Sequence, residues 1–239
     1  MKQNALRTVA LSSYILLVVI GAAWQAQAQD AKALYPTMAP LDQYLMPDRN
    51  AEIALARSAG PESISKDAEV MVLGRKGFET AIQGKNGFVC MVWRSWAAGA
   101  DDPEFWNPKL RAPICFNPPA ARFNIPLTMK KTGSVLAGKS KTQVFEELKA
   151  AFDKKELSTP EPGAMCYMLS KQAYLSDSDP HWHPHLMFFL PLMEPASWGA
   201  GLPDSPVVLG VADKEERHTL FLIPVAKWSD GTAAPMAEH

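Results

Sequence analysis

The stretch Asp179-Pro180-His181-Trp182-His183-Pro184-His185 places three of the chain's five histidines at alternate positions, directly ahead of the apolar run Leu186-Met187-Phe188-Phe189-Leu190. In an extended backbone alternate side chains share one face. His181, His183 and His185 therefore form a row of imidazoles, with Trp182 and Pro184 on the other side. Neutral imidazole is the commonest protein ligand for zinc, copper and nickel. The row predicts a transition-metal site, zinc or copper being the natural ions. Its spacing limits that expectation. On a straight strand His181 and His185 lie roughly 13 Å apart, whereas metal–nitrogen bonds are about 2.0–2.1 Å long. Neighbours two apart can share an ion, but three in a straight line cannot without a bend. Pro184 lacks a ladder donor and supplies a place for one. The expected site is one adjacent pair completed from elsewhere. His218 is the natural partner, opening a later strand-like segment and following Glu215 and Glu216. Asp177, Asp179 and Glu194 are nearer in sequence. The plain alternative is that these rings cap backbone groups, stack on Trp182 or face water.

A second motif invites a different chemistry. Gly133-Ser134-Val135-Leu136-Ala137-Gly138-Lys139-Ser140 fits the phosphate-loop pattern GxxxxGK[ST] and precedes a helix-like segment. The residues before it, 125–131, are short, contain Pro126 and end in Lys130-Lys131, where a phosphate loop follows a buried strand. Its interior Val135-Leu136-Ala137 lacks the small residues that let backbone wrap a phosphate. We read it as a turn feeding a helix N-cap, with no nucleotide bound. No GxSxG elbow or HExxH pair occurs.

The elements that must position these residues are legible from their patterning. Segment 48–59 reads as a helix with Asp48 at its N-cap and Gly60-Pro61 as its stop. Segments 70–73, 78–83 and 88–94 are strand-like, and their short Gly-rich connections predict a meander of antiparallel neighbours. Segment 97–124 reads as a long, packed, irregular excursion, and 32–47 as a proline-punctuated strap. The strongest helix is 140–157. Ser140 and Gln143 make a capping box, and Val144, Phe145, Leu148, Ala151 and Phe152 form an apolar stripe. Segments 165–170, 186–190, 207–211 and 219–225 complete the strands. Strands flanking a helical block, without regular alternation, predict an α+β fold: an antiparallel sheet with a few packing helices, in a single domain over residues 29–239 with a loose tail at 229–239.

Residues 1–28 read as a secretory signal peptide. Lys2 and Arg7 open it, residues 14–21 are its apolar region, and Ala26-Gln27-Ala28 is a small-x-small cleavage pattern. The apolar stretch 9–24 is short of the ~20 residues a membrane span needs. The expectation is a periplasmic or secreted protein with no stable span after cleavage. Loss of Lys2 and Arg7 takes the formal charge from −1 to about −3. With no basic patch or charge run, nucleic acid is an unfavourable partner. Twenty prolines beside 47 % hydrophobic residues predict irregular connections within a packed core, not disorder. Export favours a disulfide. Cys90–Cys115 is the local pairing, closing about 25 residues and stabilising by ~3.5 kcal/mol in the loop-entropy model, with Cys166 left as a buried thiol.

The pieces Asn86-Gly87-Phe88-Val89-Cys90, Ala112-Pro113-Ile114-Cys115-Phe116, Met168-Leu169-Ser170-Lys171 and Pro184-His185-Leu186-Met187-Phe188-Phe189 resemble a family of exported bacterial proteins with no assigned function. That resemblance spans most of the mature chain. It implies a shared extracytoplasmic domain, no activity, and a histidine matching His185 rather than the whole row.

Three functional expectations follow. The first is a metal binder without catalysis, using His181, His183, His185 and His218. The second is a metal-dependent hydrolytic or oxidative enzyme in which the same histidines leave one coordination position open. The third is a metal-free binding or interaction domain taking a small molecule, with Trp93, Trp96, Trp106, Trp198 and Trp228 as candidate pocket walls. The leader makes a separate expectation. N-terminal sequencing of envelope material should find a chain starting at or near Gln29; a membrane-retained chain starting at Met1 would refute the cleavage.

Overall fold

A tight turn between Gly74 and Gly77 joins β1 (Glu69–Gly74) to β2 (Gly77–Ile82) as an antiparallel pair. The computed structural model describes residues 34–177 and 183–235. The signal-peptide residues, His181 and His239 lie outside them. Six further strands follow: β3 (Val89–Trp93), β4 (Ala112–Phe116), β5 (Met165–Met168), β6 (His185–Pro191), β7 (Leu209–Asp213) and β8 (His218–Pro224). Among the described residues these eight make one sheet in the order β2-β1-β3-β4-β5-β6-β8-β7. All its pairings are antiparallel except β1 with β3. With helices on both faces of one half, this is the expected α+β fold.

Two expectations are corrected. The first three strands are not a meander. β3 does not pair with β2 but lies parallel to β1 on its other side. The connection crosses the end of β1, where Glu69 N–H donates to Phe88 O at 2.8 Å and Lys85 N–H donates to Asp67 O at 2.7 Å. Gly84 is the residue that permits the crossing, because a Cβ there would sit 2.3 Å from the Glu69 nitrogen. The second correction concerns segment 97–124, which is not one irregular excursion. It contains β4, a central strand buried at every position, and the start of α3 (Pro118–Leu136). Asn117 caps α3 by accepting from Ala120 N–H at 3.0 Å, and Pro118 and Pro119 occupy the first turn, where a missing N–H is harmless. Pro126 sits inside this helix.

The expected helices form where their caps indicate. Asp48 caps α1 (Arg49–Arg57) through Asn50 N–H at 2.8 Å. After the single-turn α2 (Glu62–Ser65) and the long α3, Ser140 and Gln143 complete the capping box of α4 (Lys141–Asp153). All five residues of its stripe are buried. Strand alternation then sorts the core. On one face Leu55, Ala56, Val70, Cys90, Val92 and Cys115 cluster beneath α1. On the other Met71, Met91, Ile114, Phe116, Phe123 and Leu148 belong to the core under α3 and α4. Cys90 and Cys115 face each other across β3 and β4 and form the expected disulfide, closing a separation of 25 residues. Cys166 is the buried free cysteine.

A buried ion pair ties the α1 face to the rest. Arg94 is fully buried and donates to Glu52 Oε1 at 2.8 Å, Tyr44 O at 2.7 Å and Val92 O at 2.5 Å. Glu52 also accepts from Leu73 N–H at 3.1 Å. Removing one partner leaves an uncompensated charge, so Glu52→Ala should lower unfolding stability by about 3–5 kcal/mol. Urea denaturation measures it; a loss below about 1 kcal/mol would show that the pair is not holding α1 to the sheet.

Candidate functional site

The helices cover only part of the sheet. Beyond β5 the face under α3 opens into a trough whose floor is built by register. Three cross-strand rungs can be traced over β6, β8 and β7: Met187–Leu222–Leu209, Phe189–Leu220–Val211, and Pro191–His218–Asp213. His185 closes the opposite end, beside Met168 of β5 and opposite Pro224 of β8. The wall is the segment from Trp93 to Asp102 after β3, with Leu110, Asn124 and Leu175 completing the lining. The cavity so enclosed has a volume of about 430 Å³. It is aliphatic along its length and polar at each end.

At one end stands His185, 6 % exposed. Its Nδ1 lies 3.0 Å from His183 O, which requires Nδ1 to carry the proton and donate it. Burial pulls its pKa down from 6.5 to about 4, opposed in part by that hydrogen bond. The ring is neutral at ordinary pH. At the other end the β7–β8 turn gathers Asp213, Glu216 and His218. Glu216 N–H donates to Asp213 Oδ1 at 2.7 Å, and Lys131 reaches from α3 to pair with Glu216. Burial, then repulsion from Glu216, raises the pKa of Asp213. His218 packs its ring against Phe123 and Phe189 at centroid distances of 5.4 and 5.6 Å.

The register separates the predicted metal ligands. His185 pairs with Pro224 and His218 with Pro191, so the two histidines lie six residues apart along the strand pair, about 20 Å. Bonds of about 2 Å cannot span that. His218 is therefore not a ligand of an ion held by His183 or His185, and this part of the expectation is corrected. The sequence could not show it, because the separation depends on how β8 slides along β6. His183 sits just before β6, half-buried, and His181 lies outside the described residues. Among the described residues no three His, Cys, Asp or Glu side chains converge where they could hold an ion. Asp177 is engaged by Lys109 at 3.1 Å and by Tyr35, and Glu194 is exposed.

The other sequence candidates also find their places. Of the five tryptophans expected around a pocket, Trp93 alone lines this one. Trp96 is core, Trp106 borders a separate cleft near the α4 N-terminus, and Trp198 stacks on Phe221 on the opposite face of the sheet. The phosphate-loop lookalike is the end of α3 and the turn into α4. Its N–H groups at Ala137, Gly138 and Lys139 donate to Gly133 O, Val135 O and Ser134 O at 3.0, 2.9 and 3.2 Å. They close a helix C-terminus. Burial pushes the Cys166 thiol well up, which leaves it without the thiolate a nucleophile needs.

Sequence reasoning missed Asp213, Lys131 and the aliphatic rungs. The alternation Leu209, Val211, Asp213 was the available signal, but nothing in it told which face was covered. No family model, curated protein or solved structure matches this chain.

The His185 environment makes a pH prediction. Between pH 6.5 and 4 the unfolded chain binds a proton that the folded chain excludes. The contribution is thus fully present above pH 6.5 and drains away as pH falls toward 4, by about 3 kcal/mol at most. His185→Gln should flatten that part of the profile. Urea midpoints of both chains at neutral and mildly acidic pH measure it; parallel profiles would show that His185 is not the group responsible.

Proposed function

We propose that this protein is a metal-free binding domain that takes a small, largely apolar molecule in the trough over β6, β8 and β7. One observation carries the reading. Leu209 and Val211 point into the cavity yet remain 44 % and 43 % exposed, on an edge strand opposite Leu220 and Leu222. Large aliphatic side chains gain about 25 cal/mol for each Å² removed from water. Here a row of them lines a concavity that the chain's own atoms leave unfilled. A volume of about 430 Å³ falls within the range of small-molecule sites, roughly 300–1,000 Å³. The few polar groups sit at the ends, where they orient a ligand without interrupting its apolar contact.

The metal-binding reading draws on the His181-x-His183-x-His185 row alone, since His218 is out of reach. The two readings separate cleanly. A neutral naphthalene fluorophore should bind the untagged protein saturably and quench Trp93, which lines the cavity. Val211→Trp fills the middle rung and should weaken that binding at least about tenfold, a loss of about 1.4 kcal/mol. Absence of saturable binding, or equal binding by Val211→Trp, would sink the cavity reading. Elemental analysis of the same untagged protein runs beside it. Close to one zinc, copper or nickel ion per chain, lost on His183→Ala, would establish the metal-binding reading and overturn the metal-free one.

A further inference from the structure

Resting on that cavity, we propose that its ligand is an amphipathic amine, with an apolar chain along the aliphatic rungs and an ammonium head against Asp213 and His218. His218 is 6 % exposed. Its Nδ1 lies 3.4 Å from Glu216 O and must carry the proton to bond there, so in the neutral ring Nε2 keeps a lone pair. Nε2 has no hydrogen-bond partner among the described residues, and it is not among the side-chain atoms sealed from solvent without one. His218 is among the residues that line the cavity. A buried side chain of the cavity lining thus retains an acceptor with no partner among the described residues.

Asp213 is the second acceptor. Its Oδ1 takes the Glu216 N–H, while Oδ2 faces the wall at Gly99, where a Cβ would stand 3.3 Å away. Asp213 and His218 are direct cross-strand partners, so the two acceptors belong to one rung. The carboxyl is held partly out of water, and among the described residues no cation pairs with it at ion-pair distance. Lys131 acts on it only through its field and makes no ion pair with it, because its ammonium is bonded to Ala97 O at 3.2 Å, Ala98 O at 2.9 Å and Glu216. Desolvation and the Glu216 charge raise the Asp213 pKa, the mark of a carboxylate that a bound cation would relieve.

The same inventory argues against an acidic head. Two carboxyl groups face one ammonium at this end, leaving an excess of negative charge. At the other end His185 is neutral at ordinary pH. Arg94 lies in the wall, but its guanidinium is taken by Glu52, Tyr44 O and Val92 O. A carboxylate or phosphate would find no unengaged cation among these groups, whereas an ammonium brings three donors to two waiting acceptors.

The test is a head-group series on one tail. Decylamine, decanol and decanoate, each below its micelle concentration, are titrated calorimetrically into the full untagged chain at neutral pH. The amine should bind at least about tenfold tighter than either of the others. Asp213→Asn should bring the amine to within about threefold of the alcohol. Decanoate binding as tightly as the amine, or an amine advantage that survives in Asp213→Asn, would overturn the head assignment and leave the cavity standing. If none of the three binds, the cavity reading falls and this inference with it. The wild-type series decides the matter even where Asp213→Asn does not fold.

Discussion

A single buried ammonium holds the trough in shape. Lys131 leaves the middle of α3 and donates to Ala97 O, Ala98 O and Glu216, while packing over Phe145 and Phe105 at 5.0 and 5.8 Å from the ring centroids. Those contacts join the central helix to four other parts of the chain: the wall after β3 at Ala97 and Ala98, Phe105 beyond it, Phe145 of α4, and the β7–β8 turn at Glu216. An ammonium withdrawn from water costs several kcal/mol unless its donors are met. Here three acceptors meet them, which ties the wall opposite the last hairpin. The cavity is the space left between the two. An apolar residue at this position could pack as well, but it would not fix the spacing between the wall and the turn.

The opening of the trough follows from how the sheet is covered. Trp93 and Trp96 donate their indole N–H groups to Thr128 and Thr132 of α3, at 3.2 and 3.0 Å. These bonds anchor the helix over the first half of the sheet. The back of the last three strands is covered in part by the segment after β6. Trp198 stacks on Phe221 at 4.6 Å, and Gly210 accommodates it, since a Cβ there would stand 2.7 Å from both Pro195 and Ala200. One face thus carries a local strap and the other is left concave. The asymmetry is a consequence of where α3 ends, at Leu136 and the Gly138 turn, and of the return of the chain through α4 onto α3 instead of onto β6.

Local signals carried most of the fold. Asp48, the Ser140–Gln143 capping box and the stripe from Val144 to Phe152 each made a helix legible, because capping and periodicity act within a few residues. The Cys90–Cys115 pairing was legible for a related reason, a short loop in a chain with a leader-like start. What failed was long-range. β3 crosses to the far side of β1 through a contact at Gly84 that no periodicity records. β4 is five residues long and contains Pro113, so it resembles a loop until β3 and β5 are seen on either side of it. α3 carries Pro126 and polar residues such as Asn124, Lys131 and Thr132 on a buried face, which removes the apolar stripe by which a helix is usually read.

The histidine row shows how the same limit bears on function. Side-chain chemistry nominated His181, His183, His185 and His218 together, and chemistry alone could not separate them. The pairing of β6 with β8 does, placing His185 and His218 at opposite ends of one trough and filling the distance between them with Phe189, Met187, Leu220 and Leu222. Each histidine then takes its character from its neighbours. His185, desolvated and bonded to the backbone before it, is a neutral closing group at one end. His218, braced by two phenylalanine rings and paired across the strands with Asp213, presents an acceptor at the other. Two of the residues nominated together, His185 and His218, thereby stand at different ends of an apolar trough, and the aliphatic side chains between them, unremarkable in the sequence, set what that trough can hold.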